Sequence, residues 1–157
     1  MNKKRKRTRK VAVPNGYRPR EVEKFMNPVM REYFRQKLLH WKGALLRESI
    51  ETIQHLQEES LHEADIADRA STETDRSLEL RTRDRERKLI SKIDAALSRI
   101  EEGSYGYCEE TMEPINLRRL EARPIATLTI EAQERHERME RTHREASSQD
   151  GFSEKNQ

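Results

Sequence analysis

Three groups of residues in this 157-residue chain have types and spacings that could do chemistry. The first is Asp65-Ile66-Ala67-Asp68-Arg69-Ala70, which sets two carboxylates about one helical turn apart. At the end of a rod such a pair can enter a narrow site on another molecule. Local physics favours a plainer role, with Asp65 as an N-cap and Asp68 in the acidic first turn that the helix dipole prefers. No apolar wall raises either carboxyl pKa and no nucleophile stands nearby, so acid-base catalysis has no support.

The second group is the knuckle Tyr105-Gly106-Tyr107-Cys108-Glu109-Glu110-Thr111, which holds the only cysteine. A structural zinc site takes about four soft ligands, commonly as two Cys-x-x-Cys pairs. Thr111 stands three residues after Cys108, and His136 and His143 are spaced too far apart to form the usual pair. Glu109 and Glu110 disfavour a thiolate, so Cys108 reads as a packing residue. The third group is Arg118-Arg119-Leu120-Glu121-Ala122-Arg123-Pro124, with Lys88 and Lys92 leading toward it. Arginines here either bind a phosphate or brace an interface, and bracing is the default. Glycine-rich phosphate loops, dinucleotide motifs and Ser/His/Asp arrangements are missing, so enzymatic activity finds no footing.

The elements that must position these groups are helical. Charged residues make up 39% of the chain against 32% hydrophobic, enough for only a slender core. The expected fold is all-α and elongated, built on a long antiparallel coiled-coil hairpin. Asn27-Pro28 opens the first helix. Phe34, Leu38, Trp41 and Leu45 then recur at helical steps, and Leu46, Ile50 and Ile53 continue on a slightly shifted seam. A second stripe runs from about Ile66 to Glu102 through Ala70, Thr74, Leu78, Leu89, Ile93, Leu97 and Ile100, and Gly103 ends it. The short connection forces the two helices antiparallel. Between Arg81 and Lys88 the second arm is almost wholly charged and should face solvent or a charged partner.

The expected organisation is therefore a basic, disordered or loosely docked leader over 1–25, a hairpin over 26–103 with its tip near 61–70, a knuckle over 104–128, a helix over 129–147 and a disordered tail over 148–157. The final helix carries Glu134/Arg138, Glu137/Arg141 and Glu140/Arg144 at the spacing that stabilises exposed helices. Seven of the first ten residues are basic, although the whole chain carries only +3. Such a leader contacts phosphates without reading sequence, or is simply a solvated tail. No apolar run suits a membrane span or secretory signal, and a lone cysteine fits a reducing, cytoplasmic setting.

The block Ser77-Leu78-Glu79-Leu80-Arg81-Thr82-Arg83-Asp84-Arg85-Glu86-Arg87-Lys88-Leu89-Ile90, followed by Tyr105-Gly106-Tyr107-Cys108-Glu109 and Arg118 to Pro124, resembles the DksA branch of the DksA/TraR family over residues 28 to 135. The resemblance implies a bacterial RNA polymerase-binding factor that inserts its hairpin into the secondary channel. It implies that Asp65, Asp68 and Ala70 are the Asp-x-x-Asp-x-Ala tip, and that Arg81 and Arg85 contact the channel rim. Destabilised open complexes, with repression of ribosomal RNA promoters and activation of some amino-acid promoters, are the implied effect.

Guanosine tetraphosphate is the implied effector, with Leu89, Lys92 and Arg123 at matching positions. A further family lysine is replaced here by Gln133, which weakens Coulomb attraction for a polyphosphate without abolishing it. The family's four zinc cysteines correspond to Cys108, Thr111, Thr129 and Ala132. Three ligands are thus absent and no zinc is expected. Tyr105, Tyr107, Met112, Ile115, Leu117, Leu120, Ile125, Leu128 and Ile130 are the apolar set available to hold the knuckle instead.

The leading expectation is a monomeric, non-enzymatic transcription regulator that reads no DNA sequence itself. Two alternatives are a nucleic-acid-binding protein using the basic leader and a purely structural hairpin. A transcript-elongation factor with a similar hairpin is a close variant, disfavoured by the charged arm and arginine block.

Overall fold

A computed structural model of the chain describes residues 11–59 and 66–153, with side-chain surroundings at 11–54, 74 and 76–144. Among these residues the order is four helices, α1 (Pro28–Glu59), α2 (Ile66–Glu102), α3 (Leu117–Ala122) and α4 (Ile130–Ser153). An isolated antiparallel bridge joins Tyr107 to Pro114. The chain divides into a hairpin unit, residues up to Pro19 with Met26–Tyr105, and a C-terminal unit, Arg20–Phe25 with Gly106 onward.

In the hairpin unit, Asn27 caps α1. Its side-chain oxygen accepts the Met30 N–H at 2.9 Å, and Pro28 occupies the first helical position, where no amide partner is needed. Antiparallel α1 and α2 close over Met30, Phe34, Leu38 and Leu45 from one side and Ile93, Ala96 and Ile100 from the other, all buried. Each fully buried large side chain of this set contributes about 1.5–3 kcal/mol. Tyr105, 1% exposed, stacks at a tilt on Phe34 with ring centroids 5.6 Å apart. Gly103 ends α2 at φ +87°, and the Gly103, Ser104 and Tyr105 amides converge on the Arg99 carbonyl.

Among the residues with described side-chain surroundings, this core lies in the half of the hairpin near Asn27 and Gly103. Leu46, Ile50 and Ile53, expected to continue the seam, are instead 44%, 55% and 40% exposed. On α2 Thr74 and Leu78 are likewise exposed. The physical reason lies in the register. From Leu45 the helical period carries the buried face to Ser49 and Thr52, which are half-buried. The apolar residues one position later turn away.

The leader from Val11 is more tightly placed than its composition suggests. Tyr17 donates its amide to the Pro14 carbonyl and packs edge-on against Tyr33, 5.8 Å between centroids. In the C-terminal unit Phe25 meets Tyr107 in the same geometry at 5.3 Å. Aromatic ring contacts help hold these segments. The most basic part, residues 1–10, lies outside the described residues.

The C-terminal unit is built around Cys108, Ile115, Leu117, Leu120, Ile125, Ala126 and Ala132. α3 is too short to show a hydrophobic period and did not stand out in the sequence. Asn116 starts it, accepting the Arg118 N–H at 2.8 Å. The last helix runs on to Ser153, past the expected end at residue 147. Among its side chains with described surroundings only Ala132 is buried, so over that stretch the helix is held largely by contacts along its own surface.

Candidate functional site

The knuckle can be built from its backbone upward. The Cys108 amide donates to the Glu113 carbonyl at 2.8 Å, the Met112 amide returns to the Cys108 carbonyl at 2.9 Å, and the Glu109 amide reaches the Thr127 carbonyl at 2.9 Å. These bonds fold two loops around the thiol. Met112 takes φ +59°, a left-handed conformation that a residue with a Cβ adopts at some cost, and its side chain is 72% exposed. Arg119 braces the second loop by donating Nε–H to the Leu128 carbonyl at 3.0 Å. Bracing is thus the observed work of at least one arginine in the basic stretch.

Cys108 is fully buried, and Thr111 and Thr129 both hydrogen-bond to its sulfur. Burial pushes the thiol up. The Thr111 hydroxyl and the backbone of Thr111, Thr129 and Glu110 pull it down further, to about 7. This corrects the expectation that Glu109 and Glu110 disfavour a thiolate: both side chains are exposed, and hydrogen bonds to the sulfur, led by the Thr111 hydroxyl and joined by backbone amides, outweigh the cost of burial. Thr129 also accepts the Ala132 N–H at 3.3 Å and so caps α4. Cys108, Thr111, Thr129 and Ala132 are therefore gathered in one place.

They do not fit a metal. One sulfur, two threonines and an alanine leave at least three of four tetrahedral positions without a soft donor. Among the described residues no group of three or more His, Cys, Asp and Glu side chains is placed to hold an ion. What fills the knuckle is apolar, with Ile115, Leu117, Leu120 and Ile125 between 0% and 8% exposed. Three members of the expected set stand outside it, since Met112 and Ile130 (49% exposed) face solvent and Tyr105 belongs to the hairpin unit. Ala126 and Ala132 take part in their stead. Small residues give little signal in a hydrophobic pattern, which is why they were missed.

The arm presents its charges on α2. Arg81 and Arg85 are exposed and four residues apart, on one face. Arg87 pairs loosely with Asp84 at 3.5 Å, both well exposed. Leu89 is half-buried and Lys92 exposed on the same helix; Arg123 is exposed in the C-terminal unit. Its amide closes α3 on the Arg119 carbonyl at 2.7 Å. Gln133 donates its side-chain amide to Glu137 at 2.7 Å. Asp65 lies outside the described residues; Asp68 and Ala70 fall in the first turns of α2, and their side chains have no described surroundings. No described helix is long and apolar enough to cross a membrane.

Comparison with known proteins adds to this geometry. Residues 30–100 match the family model of the DnaK suppressor protein DksA, N-terminal domain, and residues 103–138 match that of the prokaryotic dksA/traR C4-type zinc finger. The second match covers the knuckle, where Cys108 is the one cysteine present. The chain is 70% identical over 131 residues to the RNA polymerase-binding transcription factor DksA of Caulobacter vibrioides, covering 83% of this chain and 92% of that protein. To its Escherichia coli counterpart it is 43% identical over 121 residues, covering 77% and 80%. The solved structure of transcription factor DksA2 from Pseudomonas aeruginosa is similar at TM-score 0.70 and 44% identity, over 74% of this chain and 90% of that one. With two family models spanning the hairpin and the knuckle in order, and close relatives aligned over most of their own length, the chain belongs to the DksA/TraR family of RNA polymerase-binding transcription factors, in a form without the full set of zinc cysteines.

Proposed function

We propose that this protein binds bacterial RNA polymerase, places the hairpin tip in the secondary channel and shifts open-complex stability without catalysing a reaction. The observation that carries this reading is the 70% identity to a polymerase-binding factor over 131 residues, which include the hairpin tip. Asp65 and Asp68 then act as acceptors near the polymerase active centre, with Ala70 in the turn that follows them. The exposed Arg81 and Arg85 fit contact with an acidic rim. Guanosine tetraphosphate is the effector in this reading. Lys92 and Arg123 would bind its phosphates and Leu89 would offer an apolar contact, while Gln133 supplies a dipole in place of a charge.

The fold needs no zinc in this reading, because the knuckle residues do not fit the ion and are packed instead. The test is transcription in vitro from a ribosomal promoter with zinc-free protein, with and without guanosine tetraphosphate. Repression that deepens with the nucleotide is expected. Asp68→Asn should bind polymerase as tightly as the wild type and lose repression. Full repression by that variant, or inactivity of zinc-free protein restored by zinc, would overturn the reading.

A further inference from the structure

Where its side chains are described, at residues 46–54 of α1 and 76–90 of α2, the outer part of the hairpin is packed with its polar side inward. Beyond Leu45 the α1 face toward α2 is Ser49 and Thr52, and beyond Ile93 the α2 face toward α1 is Ile90, Glu86, Arg83 and Glu79, all half-buried. Among the described residues, Arg83 Nε and Nη2 and Glu86 Oε2 are buried atoms with no hydrogen-bond partner. Leu46, Ile50, Ile53 and Leu78 meanwhile face solvent at 40–55% exposure. Buried polar atoms without partners and exposed apolar ones both oppose stability.

One rotation would bury these apolar side chains and release Arg83 and Glu86, while turning Thr82 and Arg85 inward. Turning α1 by one residue beyond Gly43 exchanges Leu45, Ser49 and Thr52 for Leu46, Ile50 and Ile53. Turning α2 by one residue exchanges Glu79, Arg83, Glu86 and Ile90 for Leu78, Thr82, Arg85 and Leu89. Because the helices are antiparallel, these are turns in the same sense about one direction. Leu39, Leu46, Ile50 and Ile53 also keep the seven-, four- and three-residue steps of a coiled-coil seam, with Gly43 at the vacant step.

The inner half cannot follow, since Met30, Phe34, Leu38, Ile93 and Ile100 are already buried in their register. α1 must therefore absorb the turn between Leu38 and Leu46. Gly43 stands there, and a glycine inside a helix lowers the cost of a local change in winding. A Cβ on Gly43 would meet only Arg47 Nη1, at 3.6 Å, so close packing does not require the glycine.

We propose that the outer hairpin has two registers, the described one with a polar seam and a second, one residue on, with a more apolar seam, and that α1 swivels at Gly43 between them. The second register turns Arg85 inward. If Arg85 contacts polymerase, as proposed above, binding through it selects the described register.

Disulfide trapping in the full-length protein tests this, and it needs no polymerase. The ion pair Lys42–Asp94 fixes which residues are level across the hairpin. Counting equally outward along both helices places Ser49 level with Arg87, one residue from Glu86, and Ile50 level with Glu86, one residue from Arg85. Ser49→Cys with Glu86→Cys reports the described register, and Ile50→Cys with Arg85→Cys the second. Glu48→Cys with Lys88→Cys faces in neither. The buried native Cys108 stays in place, and mapped peptides identify each bond.

Both reporting pairs should close at rates within about tenfold of each other and well above the control, which corresponds to states separated by no more than about 1.4 kcal/mol. Gly43→Ala should slow the second pair about fivefold, the size of the glycine-to-alanine helix preference. Closure of the second pair no faster than the control overturns the proposal. An unchanged rate in Gly43→Ala overturns the swivel. Introducing Ser49→Leu with Thr52→Leu makes the described seam apolar and should suppress the second pair; if that pair is unaffected, the two registers do not compete and the proposal fails.

Discussion

Leu120→Ala is the sharpest test of what closes the knuckle. Leu120 is fully buried on α3, in the same core as Ile115, Leu117 and Ile125. Truncation removes three carbons, worth about 0.8 kcal/mol each in transfer free energy. The loops cannot readily collapse into the gap, because Arg119 is bonded to the Leu128 carbonyl and Asn116 caps α3. A cavity term therefore adds to the transfer loss, for a total of about 3 kcal/mol. Hydrogen exchange reads this locally at the Cys108 and Glu109 amides, which are bonded to the Glu113 and Thr127 carbonyls. Their exchange should accelerate more than about a hundredfold in the variant. A chelator should leave the wild-type rates unchanged. Acceleration of less than about fivefold in Leu120→Ala, or a faster wild type in chelator, would refute the view that packing has taken the place of metal.

Cys108 predicts a pH dependence. Its folded pKa of about 7 lies below the ordinary 9.0, so the thiolate favours folding. That contribution is full above pH 9, declines as pH falls toward 7 and is lost below it. Urea midpoints at pH 6.5 and 9 should show the gain in the wild type and none in Cys108→Ser; equal slopes would place the thiol elsewhere on the scale. Gly43→Ala should stabilise the hairpin by about 1 kcal/mol and raise the melting temperature by about 2–4 °C, because the added methyl meets only a flexible side chain. A lower melting temperature would show that the position needs glycine sterically. Asn116→Ala should cost about 1 kcal/mol by uncapping α3, measured by urea unfolding, and a neutral result would show that the cap is dispensable.

The parts legible in the sequence were those set by local chemistry. Asn27-Pro28 and Gly103 mark helix ends because capping and the left-handed conformation are properties of one or two residues. Phe34, Leu38 and Leu45 mark the inner seam because the helical period forces them onto one face. The outer seam was not legible, since the choice between Ser49 and Ile50 depends on what α2 presents opposite. α3 escaped because six residues carry no period. The Cys108 environment escaped for another reason: its neighbours' charges can be read, whereas the direction of their amides follows only from the folded loop. The roles of Asp65, Asp68, Arg81 and Arg85 came from resemblance, and local physics by itself would have left the acids as caps.

A zinc-closed finger folds only as far as free ion is available, so its folded fraction carries a term in metal concentration. In this chain Ile115, Leu117, Leu120 and Ile125 occupy that role as part of the polypeptide itself. On the zinc-free reading proposed above, the closing group is always present at unit stoichiometry, and the folding equilibrium of the knuckle carries no term in metal concentration.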